Sequence, residues 1–165
     1  MIILGVDPGT TSMGYGVINS GDDGVSLIAF GAIKPQNDQA IGDRLSYIYK
    51  ELTRLIQLYR PDAVAVEQPF VAKNVRSAFS VGRAQAIALL AAANAGVPAS
   101  EYTPAQVKQR VANYGNSSKE QIQEMVRLQL CLSRVPEPDD AADALAVALC
   151  HLQQLHLNEL LARGE

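Results

Sequence analysis

Residues 2–9 read IILGVDPG. The run before the turn is apolar or small throughout, the composition of a strand lying inside a sheet. It nevertheless ends on Asp7, followed at once by Pro8 and Gly9. A carboxylate there either caps the turn or does chemistry. Met1 to Val6 is predicted as a strand and Gly14 to Ile18 as a second, joined by PGTTSM, whose proline, glycine and hydroxyl residues mark a turn. Ser26 to Ile33 (SLIAFGAI) makes a third.

Outward from these strands the pattern changes period. Ile41, Leu45, Ile48, Leu52, Leu55 and Tyr59 recur every three or four residues, which predicts one amphipathic helix stopped by Pro61. DAVAVE, bounded by Pro61 and Pro69, reads as a short strand buried on both faces. A long helix is expected from about Val75 to Ala95, ended by Gly96 and Pro98, and residues 97–102 give a further strand. Thr103-Pro104-Ala105-Gln106 carries a capping-box pattern with proline in the first turn. Ser117 and Ser118 start the next helix by the same logic, with Ile122, Met125 and Val126 facing inward. After the proline-punctuated SRVPEP, a last helix begins at Asp139 or Asp140. Three strands with hairpin-like links, then alternating helix and strand, predict a single α/β domain with a mixed sheet over residues 1–165. Residues 153–165 are a possible C-terminal extension.

The composition bounds what such a domain can be. A chain of 165 residues buries roughly 70% of its unfolded surface, so it needs no staples. With 48% hydrophobic and 19% charged residues, no apolar run reaches the roughly 18–20 residues of a membrane span. The N-terminus lacks a basic n-region and cleavage site, so no membrane role and a cytoplasmic location are expected. Cys131 and Cys150 fall in helical patterns without metal-ligand spacing and are read as reduced core thiols. A net charge of −3 argues against a general polyanion binder.

Glu67 repeats the arrangement of Asp7, an acid closing an apolar strand. Ligand sites in open α/β sheets gather at the carboxyl ends of strands, so neighbouring strands would bring both carboxylates to one edge. In DDAADALAVAL, Asp140 and Asp143 are spaced to share one helix face. Asp139 and Asp140 also suit a helix N-terminus, whereas Asp143 sits among apolar residues and is harder to explain that way. Something positive is expected between the paired helix acids. An all-carboxylate cluster without cysteine or histidine suits a hard cation, Mg²⁺ or Mn²⁺ rather than zinc. Such sites perform phosphoryl chemistry, two ions about 3.5–4 Å apart activating water and steadying the leaving oxygen. Without metal the acids should have raised, coupled pKa values.

VDPGTTSMGYGVI, AVEQPFVAKN, YTPAQVKQ and DDAADALAVAL resemble, in order and spacing, the RuvC-type Holliday junction resolvases of bacteria, over about residues 2–152. The resemblance implies a ribonuclease H-like mixed sheet flanked by helices, and metal-dependent paired nicks in opposing strands of a four-way junction, leaving ligatable ends. Carried over by position, the metal-binding acids are Asp7, Glu67, Asp140 and Asp143, the family pattern D-x-x-D-A selecting Asp140 over Asp139. It also implies a homodimer and the RuvA and RuvB branch-migration proteins as partners. The small and apolar SAFSVGRAQAIALLAAANA could offer a partner-facing helix face, or be buried wholly within one chain.

The four acids account for −4 of the net charge, and two divalent ions bound there would leave about +1. Local charge then matters more. Lys73 and Arg76 follow Glu67, Lys108 and Arg110 lie on the helix after the first capping box, and Lys119 opens the next. In the family the lysines matching Lys108 and Lys119 lie near the site, where they would hold phosphates or steady developing charge. Phe70, just past Glu67 in a polar loop, is read either as a core residue or as one that stacks on or wedges between bases; the resemblance favours the DNA role, and Asn74 is a further candidate for a phosphate or base contact. Tyr102, His151 and His156 are read as structural.

DPGTTS also looks like the first phosphate loop of sugar-kinase and actin-like ATPases, but those need a second domain that 165 residues leave no room for. A YqgF-type nuclease and a non-catalytic junction-binding dimer compete with the resolvase reading as well. The D-x-x-D-A-L and AVEQPF matches count against the first and the full set of acids against the second.

Overall fold

The computed structural model describes residues 1–69, 75–113, 115 and 117–164. Five strands, β1 (Ile2–Asp7), β2 (Met13–Gly21), β3 (Gly24–Ile33), β4 (Ala63–Glu67) and β5 (Ala99–Tyr102), form one sheet in the order β3-β2-β1-β4-β5. The first three pair antiparallel through the expected hairpins, while β1–β4 and β4–β5 are parallel. The sheet is therefore mixed, with β1 at its centre.

Side chains alternate across the pleat, and the sequence of β1 and β4 shows what each face receives. Leu4, Val6, Val64 and Val66 point into a core shared with Ile48, Leu52, Leu55 and Ile56 of α1 (Ile41–Tyr59) and the buried alanines of α2 (Val75–Asn94). Ile3 and Ala65 point the other way, toward α3 (Pro104–Ala112), α4 (Lys119–Gln129) and α5 (Asp139–Arg163). Gly5 also lies under α5, and a Cβ there would come within 2.1 Å of the Ala144 carbonyl oxygen. The small residues on this face let the backbone of α5 settle directly on the sheet. From Ala141 to Leu152 every residue of α5 except Asp143 is buried, the behaviour of a helix apolar all round.

Most predicted boundaries hold within two or three residues. Thr103 and Ser118 both form complete capping boxes, with Gln106 and Gln121 as their reciprocal partners. The helix from Ile41 ends at Arg60, left-handed at φ 48°, just before Pro61. Ile41 itself is exposed, so the buried stripe of α1 starts further along than the periodicity suggests. The last helix begins at Asp139 and continues to Arg163, which makes residues 153–163 part of α5.

One thiol reading needs correction. Cys150 is buried and free as expected, but Cys131 is exposed and lies outside the helix. Its N–H donates to the Leu128 carbonyl and that of Leu132 to the Arg127 carbonyl, with Cys131 at φ 52°. This is the helix-ending pattern in which a left-handed residue satisfies the last carbonyls, a place usually held by glycine. No helix among the described residues is long and apolar enough to cross a membrane.

Candidate active site

Parallel pairing of β1 and β4 places Val6 beside Val66. Asp7 and Glu67, the next residue of each strand, emerge side by side at one edge. A small cleft there is lined by Asp7, Pro8, Glu67, Gln68, Pro69, Ser77 and Pro104, among others. The N-terminal end of α5 crosses the same edge above β2. Gly14 makes this possible, since a Cβ on it would fall 1.8 Å from the Asp140 carbonyl oxygen.

Carboxylate oxygens of Asp7, Asp140 and Asp143 consequently all lie within 4.8 Å of one another. Glu67 stands beside this triad rather than inside it, close enough that its charge raises the pKa of Asp7. Burial, then repulsion from Glu67, Asp143 and Asp140, pushes Asp7 up to about 8, with Lys119 pulling the other way. Burial and the charge of Asp143 raise Glu67 to about 7, against the opposing pull of Lys108 and Lys119. Asp143 is likewise raised by burial, though its bond to Lys119 opposes the shift. Four acids whose ionised forms repel one another are a site waiting for positive charge.

Some of that charge comes from the chain. Lys119 Nζ lies 3.0 Å from Asp143 Oδ2 and 3.4 Å from Asp139 Oδ2. The expected cation therefore bridges Asp139 and Asp143 rather than Asp140 and Asp143. Burial alone would lower the Lys119 pKa, but its bond to Asp143 and the charges of both aspartates raise it, keeping it an ammonium. Asp139 also accepts from Gln123 Nε2, so this acid is engaged with α4 while Asp140 turns to the site. Asp140 Oδ2 accepts a 2.5 Å bond from Ser12 Oγ. The donor set of the triad, hard carboxylate oxygens converging from a rigid strand end and a buried helix, fits a hard divalent cation.

The other predicted site residues are distributed unevenly. Lys108 is near enough to Glu67 to lower its pKa. Arg110, on the same helix, donates instead to Gln154 of α5 and has its Nε buried, so its guanidinium is committed to packing α3 on α5. Arg76 is exposed and shares an open groove with Thr10, Arg44, Phe79, Ser80 and Arg83. Phe70, Lys73 and Asn74 lie outside the described residues. Tyr102 and His151 are structural as expected, joined by a buried 2.7 Å bond between the phenol and Nδ1. Sequence reasoning missed Ser12, Thr10 and Arg44. The hydroxyls were visible as turn formers, whereas nothing in the spacing distinguishes Arg44 from the other cations of α1.

A strand-end aspartate at the centre of a mixed five-stranded sheet, faced by two aspartates of the last long helix, defines the ribonuclease H-like class. Residues 3–151 match the family model for crossover junction endodeoxyribonuclease RuvC. A crossover junction endodeoxyribonuclease RuvC of Dehalococcoides mccartyi is 54% identical over 165 residues, covering 100% of this chain and 99% of the relative. The Thermus thermophilus RuvC structure is 36% identical, with a TM-score of 0.89 over 96% of this chain and 97% of that one. The same protein in complex with Holliday junction substrate matches with a TM-score of 0.89 and 36% identity, over 96% of both chains. The chain belongs to the RuvC family of crossover junction endodeoxyribonucleases.

Proposed function

We propose that this chain resolves four-way DNA junctions by hydrolysing one phosphodiester in each of two opposing strands, in a reaction dependent on Mg²⁺ or Mn²⁺. The observation that carries the reading is the convergence of Asp7, Asp140 and Asp143 within 4.8 Å in a chain whose residues 3–151 match the RuvC family. Asp7, Asp140 and Asp143 would hold the metal, with Glu67 at its side. Bound there, a divalent ion supplies Lewis-acid activation of water and charge stabilisation at the phosphate.

The chain's own groups do the rest. Asp7 is fixed by the strand it ends and Asp140 by Ser12, so the acids are oriented before substrate arrives. Lys119, anchored by Asp143, and Lys108, near Glu67, offset negative charge that grows on the non-bridging phosphate oxygens. Water oxygen bonds to phosphorus as the bond to the 3′ oxygen breaks, leaving a 5′ phosphate and a 3′ hydroxyl that a ligase can rejoin. Phe70, Lys73, Asn74 and Arg76 are proposed DNA contacts on the segment that follows Glu67, whereas the bond of Arg110 to Gln154 favours a structural role for it.

The functional unit is proposed as a homodimer of one-domain chains working in the cytoplasm with the RuvA and RuvB proteins. Support for the dimer comes from the outer face of α2, where Val75, Ala78, Phe79, Gly82 and Ala86 form an apolar patch and Phe79 is 68% exposed. A two-fold dimer would match the symmetry of its substrate.

The test is cleavage of an end-labelled synthetic four-way junction, with Mg²⁺ or chelator, by wild type and Asp7→Asn. Symmetric nicks that require metal and vanish in the variant, with junction binding retained, are expected. Absence of nicking by wild type across junctions of varied sequence would overturn the reading.

A further inference from the structure

Thr10 sits at the turn between β1 and β2, outside the carboxylate triad, yet among the described residues it is one of the few buried polar side chains. Its hydroxyl shares a 2.6 Å hydrogen bond with Ser80 Oγ of α2. Its carbonyl oxygen accepts two bonds from one guanidinium, Arg44 Nε at 3.0 Å and Nη2 at 2.7 Å, reaching over from α1. Two residues further on, Ser12 Oγ donates to Asp140 Oδ2. Three residues before it stands Asp7. One short turn is thus tied to α1, α2 and α5 at once, and an acid of the site is held at each of its ends.

We propose that Thr10, gripped by Arg44 and Ser80, is a positioning residue that fixes the β1–β2 turn and through it the relative placement of Asp7 and Asp140. This deepens the junction-cleaving reading and rests on it. The physical argument is one of stiffness. A turn that only had to connect two strands would be satisfied by its own backbone bonds, whereas this one carries a bidentate guanidinium clamp on a single carbonyl. Catalytic geometry is sensitive at the ångström level, so a turn free to shift by that much would misplace two ligands together. The clamp also faces the groove lined by Arg76, Phe79 and Arg83, which brings α2 and its outer face into mechanical contact with the site.

The test uses Thr10→Val, Ser80→Ala and Arg44→Gln, with Thr10→Ser and Arg44→Lys as conservative variants. Single-turnover nicking of a synthetic four-way junction is measured at saturating protein, beside junction Kd in chelator and Tm. Thr10→Val and Ser80→Ala are expected to slow nicking by about tenfold or more while Kd stays within about twofold, and Thr10→Ser to restore the rate. Because Arg44 and Ser80 grip the same residue, the double variant Arg44→Gln with Ser80→Ala should lose less than the product of the single losses.

Wild-type nicking by Thr10→Val and Ser80→Ala would overturn the proposal. So would losses that track only the folded fraction, or a loss in Arg44→Gln that resides wholly in Kd, which would make Arg44 a DNA contact. Wild-type activity in the same assay tests the junction-cleaving reading separately, since the inference depends only on ratios to wild type.

Discussion

Gly14 lies directly beneath Asp140, with room for no side chain: a Cβ on Gly14 would meet the Asp140 carbonyl oxygen at 1.8 Å. Glycine at residue 14 is therefore a condition for the site, because any larger residue must lift the end of α5 that carries two of the acids. Gly14→Ala is expected to destabilise the protein by about 1–3 kcal/mol and to depress nicking far more than the folded fraction accounts for. Urea denaturation beside a cleavage assay separates the two effects, and a loss confined to stability would show that α5 can be raised without cost to the chemistry.

The metal-free protein should weaken as pH rises. Asp7 and Glu67 have folded pKa values near 8 and 7, above their ordinary 3.8 and 4.5, so between those limits the folded state holds protons that the unfolded state has released. Stability is then greatest below about pH 4 as far as these two groups are concerned, and falls toward pH 8 at up to about 1.4 kcal/mol per pH unit for each proton retained. Denaturation midpoints in chelator should decline across this window, and Asp7→Asn should flatten the decline. Added Mg²⁺ should counter it, with less metal needed at high pH because protons compete for the same oxygens.

The neighbouring acids Asp139 and Asp140 are expected to behave as opposites. Asp140 belongs to the triad, and Asp140→Asn should reduce nicking by at least about a hundredfold. Asp139 is an exposed partner of Lys119 at 3.4 Å, an interaction worth under about 1 kcal/mol, so Asp139→Asn should retain most activity. Equal losses in the two variants would mean that Asp139 also supports the chemistry.

Phe79 offers a test of the dimer. It is exposed on the apolar outer face of α2, and a charge there would have to be desolvated at an interface. Phe79→Glu should shift sedimentation from dimer to monomer without lowering Tm appreciably. A wild-type chain that sediments as a monomer at working concentration would instead remove the dimer from the proposal.

The strands and caps could be read ahead of the structure because their signals are local. The apolar run into Asp7, the AVAV run into Glu67 and the hydroxyl-to-glutamine spacing at Thr103 and Ser118 each specify an element within a few residues. Asp7 and Asp143 were legible as candidates for a related reason, being acids that end or interrupt a buried element, whereas Asp140 was told apart from Asp139 only by the resemblance to the RuvC family. What escaped were contacts made across long stretches of chain. Lys119 takes Asp139 rather than Asp140 because of how α4 lies against α5, and Arg110 turns to Gln154 because α3 packs on α5. The reach of Arg44 to a carbonyl oxygen involves no side-chain signal on the receiving end at all. Cys131 was misplaced because its left-handed backbone is one that glycine ordinarily advertises.

The sheet order places the ends of the chain's sequence together at the site: Asp7 comes from β1, while Asp140 and Asp143 come from α5. During synthesis the N-terminal portion emerges first, so a ribosome-bound chain holds its strand-end acids long before the helix that completes them has been made. Until α5 is released and docks on β1 and β2, the cluster does not exist. A chain still lacking α5 would by this geometry have no such cluster, and competence to cut DNA is expected only once α5 has docked.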